Sequence, residues 1–331
     1  MKAVIYTDYG SPEVLKLAEM EKPTPKADEI LIKIHATTVK TGDIWARNFK
    51  AISPSQFSMP FLLWLLTRLE FGVNKPKKKI LGAEFSGEVE AVGSNVTRFK
   101  KGDLVFGYRG AAFGANASYL CMSEKGLVTI KPDNMSHAEA ATVPYGAVTA
   151  FNLLRKANLK PGQKILINGA SGGIGSFALQ LAKTYGVEVT GVCSKPRMEM
   201  VKSLGADYAI DYTKEDFTRN GKTYDVILDI LGKSSFSRCQ HSLTENGIYL
   251  LASFKMLQLW QMLKTSMRGG KKVVCAMSME SSADLEQIKE MVEIGKIKTI
   301  IDKQFPIHQT ADAHRYIEAG KMVGNVVIMV A

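Results

Sequence analysis

Gly169-Ala170-Ser171-Gly172-Gly173-Ile174-Gly175 decides how this chain is read. An apolar run, Ile165-Leu166-Ile167-Asn168, leads into it. Ile174, Phe177, Leu181 and Tyr185 follow at helical spacing, so one helix face can cover a sheet. Strand, glycine loop and helix therefore stand in that order. Gly172, Gly173 and Gly175 let the backbone turn sharply and approach a pyrophosphate. The helix start offers that anion unpaired N–H groups and the positive end of its dipole. The stretch predicts a dinucleotide site.

Working outward, strands are expected at Lys164–Asn168, Glu188–Cys193, Tyr208–Tyr212, Val226–Ile230, Gly247–Ala252 and Lys272–Ala276. Helices at Gly173–Tyr185 and Arg197–Leu204 fall between the first of them. This alternation predicts an α/β fold with a doubly wound, parallel, six-stranded sheet. Further helices are expected over His137–Leu154, Ala283–Ile294 and Ala311–Ala319, with a last strand at Val326–Val330. The first third reads differently. Short strands at Lys2–Tyr6, Val14–Met20, Glu29–Ala36, Glu84–Val92, Asp103–Tyr108 and Ala117–Met122, with frequent turns, predict a β-rich barrel or sandwich. Phe49–Lys79 interrupts it with Met59-Pro60-Phe61-Leu62-Leu63-Trp64-Leu65-Leu66 and the basic run Lys75-Pro76-Lys77-Lys78-Lys79. A helix packed on the barrel, a lid over an apolar pocket and a peripheral membrane contact all stay open for this stretch. Phe254–Met267 reads as a second variable, apolar loop.

The second strand of the sheet separates NAD from NADP. A carboxylate that reads the ribose is expected about 20 residues beyond the glycine loop. Here Gly191-Val192-Cys193 is followed by Ser194-Lys195-Pro196-Arg197. Lys195 and Arg197 attract a 2′-phosphate and Ser194 can donate to it, where a carboxylate would repel it. The expectation is NADPH; two ordinary surface cations are the alternative.

The totals bound the rest. The chain has 331 residues, 46% hydrophobic and 23% charged, with a net charge of +11. That length suggests two domains. The charge favours anionic partners. The basic runs lack interleaved aromatic residues, so no nucleic-acid platform is expected. Cys121, Cys193, Cys239 and Cys275 are far apart in sequence and suggest free thiols in a reducing compartment. Met1-Lys2-Ala3-Val4-Ile5-Tyr6 reads as a strand rather than a signal peptide, and the expectation is a cytoplasmic protein.

Four motifs now stand in a specific order: Leu81-Gly82-Ala83-Glu84-Phe85-Ser86-Gly87, Phe99-Lys100-Lys101-Gly102-Asp103-Leu104-Val105, Ala140-Ala141-Thr142-Val143-Pro144-Tyr145-Gly146 and the glycine loop. Over essentially its whole length the chain resembles the medium-chain dehydrogenase/reductase superfamily, in its zinc-less quinone-reductase branch. The resemblance implies a GroES-like catalytic domain over residues 1–127, completed by residues 298–331. It implies a Rossmann domain over 128–297, an active site in the cleft between them, and a homodimer joined through the Rossmann sheet. It places Thr149 near the nicotinamide and Tyr212 beside the adenosine 2′-phosphate. Asn325 closes over the cofactor, and the backbone of Leu251 and Ser253 approaches the nicotinamide. Ser171, Gly172, Gly173 and Ile174 form the phosphate loop.

The positions that match the zinc ligands of metal-dependent relatives are Lys40, Ala83 and Tyr145, none a plausible ligand there. No zinc is expected. Carbonyl polarisation then falls to hydrogen bonds or a cation, which favours an electron-poor acceptor such as a quinone or an α,β-unsaturated carbonyl. The expected substrate is small, apolar and electrophilic. A zinc-less carbonyl or alcohol dehydrogenase, and an NADPH-binding adaptor or sensor with little turnover, are the alternatives. The branch usually shows V-N-x-x-D where this chain reads Val39-Lys40-Thr41-Gly42-Asp43. Asp43 is kept, as a further candidate catalytic residue, and Lys40 replaces Asn. Lys40 is a candidate for stabilising negative charge or supplying a proton; a solvent-facing Lys40, or one paired with Asp43, is the alternative. Tyr145 is a second candidate acid.

Overall fold

The computed structural model describes residues 1–320 and 322–330. The first segment contains strands β1 (Lys2–Ile5), β2 (Lys16–Glu19) and β3 (Glu29–Val39), then helices α1 (Thr41–Arg47) and α2 (Phe61–Phe71). Strands β4 (Glu84–Val92), β5 (Leu104–Tyr108), β6 (Tyr119–Ser123) and β7 (Leu127–Ile130) follow. Helices α3 (His137–Ala140) and α4 (Pro144–Ala157) lead into the second segment. There β8 (Lys164–Asn168), α5 (Gly175–Thr184), β9 (Glu188–Cys193), α6 (Met198–Ser203), β10 (Tyr208–Asp211) and β11 (Tyr224–Asp229) succeed one another. Helix α7 (Phe236–Cys239), β12 (Leu243–Leu251), α8 (Met256–Ser266), β13 (Lys272–Cys275) and α9 (Ser282–Glu293) complete it. The tail holds β14 (Ile301–Pro306), α10 (Thr310–Glu318) and β15 (Asn325–Met329).

Six parallel strands run in the order β10-β9-β8-β11-β12-β13. Alternate residues feed the two faces. Ile165, Ile167, Val226 and Leu228 join the core under α4 and α5, while Leu166, Ile227, Tyr249 and Leu251 join the opposite one. Burial on both faces explains why these strands read as continuous apolar runs. The strand order reverses between β8 and β11, so the crevice at their carboxyl ends is the natural ligand site.

The second sheet has the order β14-β15-β3-β4-β5-β7, with β6 also on β3. The long strand β3 is its hub, pairing antiparallel with β15, β4 and β6. Chain tail and chain head thus share one sheet, and Ile30, Ile32, Ile34, Phe85 and Val89 fill its core. Buried Arg47 of α1 ties the head to α10. It donates to the Gly10 carbonyl at 3.0 Å, to His314 Nδ1 at 3.1 Å and to Glu318 at 2.6 Å.

Several expectations need correction. The single helix over His137–Leu154 is two, because Pro144 cannot continue α3 and instead starts α4. The stretch Phe254–Met267 is not a loop but carries α8. Strands β7 and β14 were not expected, nor was α1. No helix among the described residues is long and apolar enough to cross a membrane.

Burial, then the Arg47 charge, push His314 down to about 3, and its Nε2 meets no hydrogen-bond partner among the described residues. An imidazole depressed in this way binds its proton more readily in the unfolded chain. Its contribution to stability is complete above the unfolded value of 6.5 and drains away as pH falls toward 3. The slope is up to about 1.4 kcal/mol per pH unit. We expect His314→Gln to flatten the pH dependence of the urea midpoint below pH 6.5 relative to wild type. Identical slopes would show that His314 is not held neutral.

Candidate active site

The glycine loop sits at the carboxyl end of β8. Gly169 has φ +95°, which only glycine adopts without strain, and it and Ala170 donate to the Val192 carbonyl of β9. At Gly175 a Cβ would fall 2.1 Å from the Gly169 carbonyl oxygen, so glycine is required for helix and strand to approach. Gly172 and Gly173 have room above them. Among the described residues no acceptor meets the N–H groups of Gly173 and Ile174. These are the open donors of a helix start, and with the room above the glycines they fit a pyrophosphate.

A cavity of about 560 Å³ opens over this loop. Ser171, Gly172, Gly173, Ile174 and Arg197 line one side. Lys40, Tyr145 and Asn325 line the other, with Trp45, Phe49, Phe57 and Phe71 as an apolar wall. Lys40 lies where β3 runs into α1. Its ammonium donates to Asn325 Oδ1 at 2.7 Å and lies 3.1 Å from Glu84 Oε2. A Cβ on Gly173 would sit 3.8 Å from Lys40 Nζ, so the cation faces the glycine loop directly. It points neither to open solvent nor at the Asp43 carboxylate. Glu84, fully buried, also accepts from Thr38 Oγ1 at 2.7 Å and from the Tyr145 N–H at 2.8 Å. Asn325 donates onward to Thr299 Oγ1 and the Ile300 carbonyl.

Asp43, expected as a catalytic residue, gives its carboxylate to two backbone groups. Its carboxylate accepts the Lys40 and Gly82 N–H groups, both at 2.8 Å, capping α1 and fixing the turn before Glu84. Burial pushes it up to about 6 against those two bonds. It positions Lys40 and Glu84. Tyr145 keeps its proton firmly: burial first, then Glu280 and Glu84, push it up to about 12. Thr149 donates to Glu280 at 3.1 Å, in a smaller recess shared with Tyr145, Ile174 and Ser253. Burial also raises the Glu280 carboxyl above its ordinary value, with the Thr149 bond opposing. The Ser253 hydroxyl is spent on the Ile230 carbonyl. Leu251 is sealed in the sheet and its carbonyl accepts the Ala276 N–H at 3.0 Å.

A further cavity of about 540 Å³ is lined by Ser194, Arg197 and Tyr212, by Lys233 and Arg238, and by the acids Glu215 and Asp216. Arg197 is already engaged, donating to the Met322 and Gly320 carbonyls. Lys195 is exposed and does not line this cavity. Arg238 pairs with Asp216 at 2.9 Å. Sequence reading missed Glu84, Glu280 and Lys233. An acid inside the apolar start of β4 was the available signal for Glu84. For Glu280 it was a carboxylate just past the last parallel strand.

Two family models match the chain. An alcohol dehydrogenase GroES-like domain covers residues 26–150 and a zinc-binding dehydrogenase domain covers 204–328. A 2-methylene-furan-3-one reductase from Solanum lycopersicum is 34% identical over 99% of this chain and 79% of that protein. A chloroplastic NADPH-dependent alkenal/one oxidoreductase from Arabidopsis thaliana is 32% identical over the same shares. The solved quinone oxidoreductase from Coxiella burnetii superposes with a TM-score of 0.84 at 28% identity, over 100% of this chain and 99% of that one. The chain belongs to the medium-chain dehydrogenase/reductase superfamily, in its quinone-oxidoreductase-like branch. It is an oxidoreductase that works with a nicotinamide cofactor.

Gly173→Val tests the cradle, because its side chain would fill the space over the loop while the backbone tolerates it. We expect dinucleotide affinity to fall at least about tenfold, roughly 1.4 kcal/mol, with little change in Tm. Unchanged affinity in a titration of cofactor fluorescence would remove the loop from the binding site.

Proposed function

We propose that this protein is an NADPH-dependent, metal-free reductase of quinones or α,β-unsaturated carbonyls. The observation that carries the reading is the Lys40 ammonium, fixed by Glu84 and Asn325 at the junction of glycine loop and apolar cavity. The zinc in one family model's description does not suit this junction. An ammonium fills the place where the resemblance would put a ligand, and the Glu84 carboxylate beside it is already bound to that cation.

The loop donors at Gly173 and Ile174 would hold the pyrophosphate, and Thr149 and Asn325 flank the place left for the nicotinamide. Ser194, Lys233 and Arg238 around the further cavity, the adenosine side on this reading, supply the polar and basic groups a 2′-phosphate needs. NADPH, when bound, supplies a hydride. The chain's own part is to hold an acceptor against the apolar wall of Trp45, Phe49, Phe57 and Phe71 and exclude water. Lys40 stabilises the negative charge that grows on the acceptor oxygen; Glu84 and Asn325 keep its ammonium in place without reorganisation. Tyr145 is neutral at ordinary pH and can donate a hydrogen bond or a proton to that oxygen. The homologous reductases of a furanone and of alkenals and enones support this acceptor class.

Nicotinamide absorbance, followed with quinones, enals and simple ketones, should show NADPH oxidation by the first two classes and little by the third. The Kd for NADPH should lie at least about tenfold below that for NADH. Equal affinities, or turnover confined to ketones, would overturn the reading.

Lys40→Met should lower kcat/KM by about 100-fold, near 2.7 kcal/mol, with Lys40→Arg between it and wild type. The Lys40→Met/Glu84→Gln double variant removes the unpaired buried charge and separates lost chemistry from lost stability. Wild-type kcat/KM in the double variant would exclude Lys40 from the reaction.

A further inference from the structure

Helix α2 has two apolar faces. Thr67 and Phe71 line the substrate cavity, while Phe61, Leu62, Leu65, Leu66 and Leu69 form an outer stripe that is 38–63% exposed. Helix α8 carries a second stripe, Met256, Leu257, Trp260 and Leu263, 52–64% exposed. The two segments are neighbours. Lys255 Nζ donates to the Ser55 carbonyl at 2.6 Å, and Met59 packs in the same cluster as Leu259 and Met262 of α8. Single exposed apolar residues are ordinary, but two adjoining stripes of leucines with a tryptophan are an interaction surface.

Charge says what covers it. Residues 49–79 contain six basic residues and one acidic, and residues 255–272 contain five basic and no acidic. Ten of the chain's eleven net positive charges therefore lie in 49 of its 331 residues. Lys77 donates to the Leu69 carbonyl at 2.8 Å, which places a basic run at the end of the α2 stripe. Lys264 and Arg268 flank the α8 stripe. A second copy of the chain would bring the same positive charge against itself. Strand addition is closed as well. The outer N–H groups of β13, the edge strand, are taken by Thr265 Oγ1 and Met262 Sδ of α8.

We propose that α2 and α8 form a docking surface for an anionic lipid bilayer. Apolar side chains enter the acyl boundary and the lysines meet the headgroups. Helix α2, as the wall shared by surface and cavity, then places the cavity beside the bilayer, where an apolar acceptor is concentrated.

Flotation of the full-length protein with vesicles tests this without turnover. Vesicles containing about 30% phosphatidylglycerol in phosphatidylcholine should carry the protein, pure phosphatidylcholine should not, and about 0.5 M salt should release it. Leu66→Glu/Trp260→Glu should reduce flotation at least about tenfold while a water-soluble acceptor is turned over as in wild type. Equal binding to neutral vesicles, or flotation of the double variant as in wild type, would overturn the proposal. So would a wild-type dimer, seen by light scattering, that the double variant splits without any vesicle binding. Flotation with no acceptor turned over would instead defeat the reductase reading and leave the docking surface standing.

Discussion

A carboxylate fully withdrawn from water must be satisfied on every side, and Glu84 is such a group. Its partners come from three places: Thr38 at the end of β3, Lys40 just beyond it, and the N–H of Tyr145 at the start of α4. Lys40 brings in a fourth, Asn325 at the start of β15. The junction between the two sheets is thus one polar network whose members cannot move singly without stranding a buried charge. The cavity, the glycine loop and the apolar wall take their relative positions from it.

How much of this was readable beforehand depends on the range of the interactions. The glycine loop and the parallel sheet were legible because they rest on local geometry: apolar strands, a turn only glycine permits, a helix at the right spacing. The Lys40–Asn325 contact joins residues 285 positions apart, and no local pattern carries it. Asp43 looked like a partner for Lys40 because it is near in sequence. Backbone N–H groups claimed its carboxylate instead. Arg197 stood at the expected place for a phosphate contact, but its guanidinium is held by the carbonyls of Gly320 and Met322. Lys233 and Arg238 reach the same cavity from the loop after β11 and from α7, which sequence distance hid.

The apolar stretches were harder for a different reason. In helix α8 the large apolar residues Met256, Leu257, Trp260 and Leu263 turn to solvent, and none of its residues is buried, so its pattern does not announce a helix packed on a core. The open alternatives for Phe49–Lys79 turn out not to exclude one another. Helix α2 packs through one face, lines the cavity, and still leaves a stripe uncovered. A pattern that defeats secondary-structure reading is here the mark of a segment serving two surroundings at once.

The start of α4 has one more consequence. Val143 offers no capping side chain, and the Tyr145 N–H is met by Glu84 from another strand. Helix α5, a few ångströms across the junction from Lys40, begins with donors that nothing among the described residues meets. The fold therefore has two anion seats of the same physical kind side by side, one occupied permanently by its own side chain and one kept for a visitor. Glu84 and Asn325 hold the lysine without calling on the second seat. On the proposed reading, ligand exchange would change the electric field at the junction while the cation that responds to it keeps its own partners.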